Sequence, residues 1–96
     1  MNKTRRKELY AIANKLIHLK NANNEDSEMN LDQLKNDLDM ILNDEESYMD
    51  NMPENLQNGY RYQMAEEACD HIECAIDALN DGDIDDAISH IYSATV

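Results

Sequence analysis

The six residues CDHIEC at 69–74 bring together both cysteines of the chain, one of its three histidines and two carboxylates. These are zinc-ligating types, and a structural zinc site draws on four such ligands at tetrahedral geometry. On an α-helix each residue advances about 100°, so Cys69 and Cys74, five apart, point about 140° away from one another and can neither bridge nor share an ion. The spacing is not C-x-x-C. His71 and Cys74, three apart, do share a face, with Asp70 four residues before Cys74 and Glu67 four before His71. His71 and Cys74 are therefore the zinc candidates, and a site built on them needs further ligands from His90, His18 or a second subunit. Cys69 falls on the apolar side with Ile72 and Ile76, where a thiol packs as a small hydrophobe.

Other chemistry lacks the residues it needs. Laid on a calcium loop, Asp77, Asp81, Gly82, Ile84 and Asp85 leave Leu79 where an oxygen ligand is required and Ile88 where the closing Glu belongs. No Gly-rich phosphate loop, G-x-S-x-G or H-E-x-x-H is present. Cys74 sits among Asp70, Glu73 and Asp77, which oppose a thiolate nucleophile. The carboxylates fall on faces expected to be wet, where nothing raises a pKa for general acid work. The expectation is a protein without catalysis and, zinc apart, without a cofactor.

The elements that must position these groups are helical. With two Gly, one Pro and no Phe or Trp, the 96 residues favour helix throughout, and their number suits one domain spanning 1–96. Apolar residues at spacings of three and four predict a helix over about 3–22, with Leu9, Tyr10, Ile12, Ala13, Leu16, Ile17 and Leu19 as its face. A polar connection, NANNEDSEMN, follows. Asn30 and Gln33 then form a capping-box pattern ahead of a helix over about 31–49, on which Leu31, Leu34, Leu38, Ile41, Tyr48 and Met52 make a heptad with Glu45 in its one polar slot. Pro53 ends that segment. Met64, Ala65, Ala68, Cys69, Ile72, Ala75, Ile76 and Leu79 predict a third helix over about 60–80. Gly82 and Asp83 suit the turn into a short fourth helix over about 84–94, whose inner face is Ala87, Ile88, Ile91 and Tyr92. The expected fold is all-α: three long helices bundled with a short C-terminal helix that packs as a hairpin on the third.

Charge separates along this scaffold. The net charge is −13, yet residues 1–20 hold six of the eight basic residues against the single acid Glu8. The rest of the chain is an acidic body, repelled by nucleic acid and anionic lipid and attracted to the basic grooves that hold phosphates. No direct nucleic-acid or membrane partner is expected. The chain has no apolar run of 18 residues, and its start lacks a secretory pattern, so a cytoplasmic protein is expected. Three acidic groups are candidates for contacting a partner: Asp44, Glu45, Glu46 and Asp50; Glu66, Glu67, Asp70, Glu73 and Asp77; and Asp81, Asp83, Asp85 and Asp86. Held on rigid helices, such carboxylates imitate a phosphate track.

The segment NDEESYMDNMPENLQNGYRYQMAEEACDHIECAIDAL carries a resemblance. An EE-x-Y/F-x-D-N-M-P-E-N-L-Q stretch ahead of an AEEA-x-D-x-x-E-x-A-I-D helix is similar to small acidic helical proteins carried by phages and mobile elements of Firmicutes, over roughly residues 30–80. No catalytic or ligand residue is assigned in that group, so none is carried over. Cys69, His71 and Cys74 depart from its acidic and apolar choices. The phage setting implies counter-defence in a bacterial host cell, with the anti-CRISPR proteins that occupy the DNA-binding surface of a Cas nuclease as the best-fitting class and Cas9 as the leading partner. The alternative is a helical adaptor or homo-oligomerising module that uses apolar surface.

Overall fold

Helix-forming residues interrupted by so few breakers give an all-α protein in the computed structural model, which describes residues 3–22 and 27–95. The elements are α1 (Lys3–Ala22), α2 (Ser27–Asp50), a 3-10 turn (Glu54–Leu56), α3 (Tyr60–Asn80) and α4 (Ile84–Ala94). No strand occurs among the described residues.

The second helix begins earlier than its apolar pattern indicates. Because α2 starts at Ser27, Asn30 lies inside the helix and the Asn30 and Gln33 pair is not its N-terminal cap. Gln33 Nε2 instead donates to Asp37 Oδ1 at 3.1 Å, one turn on. Apolar periodicity marks a buried face, and the extra turn was invisible to it because propagating a helix adds a backbone hydrogen bond per residue whether or not that face continues. The remainder of the expected polar connection, residues 23–26, lies outside the described residues.

Turn chemistry sets the later boundaries. Pro53 follows the end of α2 and its carbonyl accepts from Leu56 N at 2.8 Å, opening the 3-10 turn. At the end of α3, Gly82 takes φ +80, Asp83 N donates to Ala78 O at 2.8 Å and Gly82 N to Leu79 O at 3.1 Å. Those paired bonds satisfy the last carbonyls of α3, and only glycine adopts that φ without a Cβ penalty. Asp83 then caps α4, its Oδ1 accepting from Asp86 N at 3.0 Å. One residue thus closes α3 and opens α4.

All four helices contribute to one core. Leu9 and Leu16 of α1, Leu34 and Leu38 of α2, Ile72 of α3 and Ile91 of α4 are among its most buried members. Alanines at 68, 75, 78, 87 and 94 keep the α3 and α4 surfaces shallow, so these two helices approach closely along their length. α3 packs on α4 and α2, and α1 packs on α2 and α4. The extents are 50 × 23 × 18 Å. Four residues expected on inner stripes, Tyr10, Ile17, Tyr48 and Tyr92, are instead half-exposed. Leu42 and Met49 take the inward place expected of Tyr48, while Tyr10 and Tyr92 pair across α1 and α4 with ring centroids 6.1 Å apart. No helix among the described residues is long and apolar enough to cross a membrane.

Candidate partner-binding face

Two contacts set the register of α2 against α3: Lys35 Nζ reaches Asn80 Oδ1 at 3.2 Å, and Cys69 Sγ lies 3.8 Å from Met49 Sδ. As the position on α2 rises, its partner on α3 falls, so the two helices run in opposite directions. That register places Asp50 opposite Glu66, Glu46 opposite Asp70 and Asp39 opposite Asp77. On each helix these acids recur at three, four or seven residues, which keeps them in a single row. Asp32, Asp39, Glu46 and Asp50 make the α2 row, and Glu66, Asp70, Glu73 and Asp77 the α3 row; all eight are exposed. Lys35 is the cation within this seam, paired with Asp32 at 3.1 Å.

The field of the two rows is legible in a buried thiol. Cys69 lies under the seam, and its pKa is pushed up to about 12 from 9.0, first by burial and then by the negative charges of Glu45, Glu46, Glu73 and Asp70. Carboxylates from both helices therefore act on one point. A raised pKa means the folded state prefers the protonated thiol, so the contribution of Cys69 is fully present below about pH 9 and is lost as pH rises toward about 12, at about 1.4 kcal/mol per pH unit. A Cys69→Ala chain is expected to lose less stability than the parent between pH 9 and 11, measured by urea unfolding at each pH. At pH 8 a thiol reagent is expected to label exposed Cys74 quickly and Cys69 only after unfolding; equal labelling of the two would contradict this placement.

The thirteen acids singled out from the sequence divide in the structure. Glu46, Asp50, Glu66, Asp70, Glu73 and Asp77 join the double row. Glu45 does not belong on a partner surface: it is 0% exposed, and Arg5 Nε donates to its Oε2 at 2.5 Å across 40 positions of sequence. Its heptad slot faces inward, where α1 supplies the guanidinium, which also stands 5.6 Å over the Tyr48 ring. Asp44 lies on the α1 side of α2, lining a groove with Glu8, Lys15 and Asp37. Glu67 is exposed about a quarter turn around α3 from the α3 row. In the final turn Asp83 is the α4 cap, Asp85 pairs with Lys20 and Asp86 approaches His90 at 3.5 Å, while Asp81 is exposed at the end of α3. Asp32 and Asp39 were missed. Their seven-residue spacing to Glu46 is the signal that finds them.

The zinc candidates separate as well. Cys74 is exposed, whereas His71 is half-buried and turned toward α4, with its Nδ1 3.4 Å from Nδ1 of His90. His18 stands exposed on α1. Among the described residues no three or more His, Cys, Asp or Glu side chains gather at one point suited to a metal.

A second surface feature lies where α2 meets α3. Tyr48, Met52, Pro53, Leu56 and Tyr60 line a groove of about 610 Å3 together with Arg61, and Leu56 and Tyr60 are largely exposed.

No family model, curated protein or solved structure matches the chain.

Proposed function

We propose that this protein is a non-catalytic inhibitor of phage type that acts in the cytoplasm of a bacterial host, laying its acidic face into the basic, nucleic-acid-binding groove of a host nuclease, with Cas9 the leading candidate. The observation that carries the reading is the double row of carboxylates along α2 and α3. At 1.5 Å of rise per residue, the α3 row offers about one charge per 5 Å, against one phosphate per 3.4 Å along a DNA strand. Packed helix axes lie about 8–10 Å apart, between the roughly 6 Å and 12 Å widths of the two grooves of B-DNA. The α2 row is sparser, at about one charge per 9 Å, so a groove built for two phosphate tracks meets two negative rows that are less densely charged than DNA. Two of the six basic residues near the start are engaged elsewhere: Arg5 with the buried Glu45 and Lys20 with Asp85. An antiparallel α3 and α4 hairpin, packed into a bundle with α1 and α2, is the support that keeps the α3 row straight.

The test is a cleavage assay in which Cas9 loaded with guide RNA cuts a target duplex while this protein is added. Inhibition that excess duplex relieves, and that weakens between low and high ionic strength, supports the reading. Cutting that continues undiminished at large molar excess removes Cas9 as the target.

The apolar groove at Tyr48, Leu56 and Tyr60 favours a second reading, a helical module that pairs with another copy of itself. Ionic strength separates the two readings, since self-association through apolar surface responds little to salt.

A further inference from the structure

The groove at the α2–α3 connection lies at one tip of the elongated molecule, because residues 51–59 join two antiparallel helices at a single end. The start of α1 lies at the same tip, since Arg5 pairs with Glu45 and stands over the Tyr48 ring. Lys20, near the other end of α1, pairs instead with Asp85 beside the α3–α4 turn. Residues 3–8 and 45–63 hold five cations, Lys3, Arg5, Arg6, Lys7 and Arg61, and five carboxylates, Glu8, Glu45, Glu46, Asp50 and Glu54. The tip is neutral, and the whole net charge of −13 falls on the rest of the chain.

Neutrality decides what covers the groove. Leu56 and Tyr60 are 52% and 75% exposed, and with Tyr48, Met52 and Pro53 they form an apolar patch of the kind that marks an interaction site. A basic partner is drawn to the acidic rows on the body and not to this tip, while an acidic partner is repelled by that body with no net positive charge here to hold it. What fits is an apolar surface rimmed by both signs of charge, and the tip of a second copy is one. Arg61 lines the groove, and Asp50 and Glu54 are exposed beside it, so a two-fold axis can bring the cation of each copy toward carboxylates of the other. Screening sets the direction of approach. Exposed charges act over about 8 Å at physiological ionic strength, and the molecule is 50 Å long. Contact through the tips keeps most carboxylates of the two bodies several screening lengths apart, whereas contact side by side sets like charges against each other.

We infer that two copies pair tip to tip about a two-fold axis, with Leu56 and Tyr60 of each entering the groove of the other. The groove, about 610 Å3, has room for a large side chain. This inference rests on the self-pairing reading of the groove and gives it a geometry. The rows on α2 and α3 run away from the contact, so the pair carries two acidic faces, and pairing and the binding of a basic groove are compatible in one molecule.

Sedimentation equilibrium of the parent chain, with 1H–15N spectra recorded across the same range of concentration, tests the pairing. A concentration-dependent dimer is expected, with the shifting resonances gathered at Tyr48, Met52, Leu56 and Tyr60. Tyr60→Ala weakens the dimer about 30-fold, the scale of a truncated hot spot, and Leu56→Asp weakens it at least as much. Arg61→Glu makes each tip negative and also weakens the dimer, and added salt restores part of the loss. Asp77→Asn, toward the far end of α3, leaves the dimer constant unchanged. A parent chain that stays monomeric up to millimolar concentration overturns the pairing together with the self-association reading beneath it. A dimer that ignores Tyr60→Ala and Leu56→Asp, or whose shifts fall along the acidic rows, overturns the tip contact alone and leaves association through another surface. Because the shifts are read on the parent chain, the result stands even where a variant does not fold.

Discussion

A Glu45→Ala chain is expected to lose about 3–5 kcal/mol of folding stability, as much as truncating a core leucine. Glu45 is wholly buried beside the Arg5 guanidinium, whose side chain is only 13% exposed. Truncating the acid takes the buried carboxylate away from a cation drawn into the interface of α1 and α2, and that share of the cation's desolvation is no longer offset. Small domains hold about 5–15 kcal/mol in total, so the loss is a large share of the whole. The double variant Arg5→Leu with Glu45→Met removes both charges and is expected to lie much closer to the parent, since an apolar pair of similar volume is often neutral or stabilising in such a place. Urea midpoints of the two single variants and the double variant measure the coupling. A single substitution costing less than about 1 kcal/mol would mean that the pair is as weak as one on the surface.

The second large effect has opposite signs for stability and for binding. Glu46, Asp70 and Glu73 flank the α2 and α3 seam closely enough for all three to raise the Cys69 thiol. Changing them together to Gln, Asn and Gln relieves repulsion between the rows, so the folded protein is expected to become more stable and the Cys69 pKa to fall toward its ordinary value. The same change is expected to weaken binding to a cationic groove about a hundredfold, taking about 1 kcal/mol for each lost charge contact. Stability by urea unfolding and inhibition in the nuclease assay are the two readouts. A variant that is more stable and inhibits as well as the parent would show that these carboxylates do not meet the partner. One that loses both stability and inhibition would assign them a structural role.

Both effects come from residues whose surroundings are assembled across the chain, and this separates what was legible in the sequence from what was not. The bounds of α1, α3 and α4 follow from local signals. Apolar residues at helical spacing mark a face, Pro53 forbids continuation of α2, and Gly82 with Asp83 builds a turn whose hydrogen bonds all lie within a few residues. Such signals need no knowledge of the rest of the molecule. The start of α2 was not legible because its first turn carries no apolar repeat, and cooperativity alone extends the helix back to Ser27.

Composition and the order of residues determined that this chain is helical, that its acids far outnumber its bases, that Cys69 faces inward and that Cys69 and Cys74 cannot act together. Tertiary structure decided the rest: that Glu45 is buried beside an arginine 40 residues away, that the row of Asp32, Asp39 and Glu46 lies against the α3 row, and that His71 meets His90 and not Cys74. The physical reason is that a helix presents several faces at once. Which face receives which neighbour depends on the packing of side chains from distant segments, through shallow alanine surfaces and the register they permit, and no local pattern records that choice.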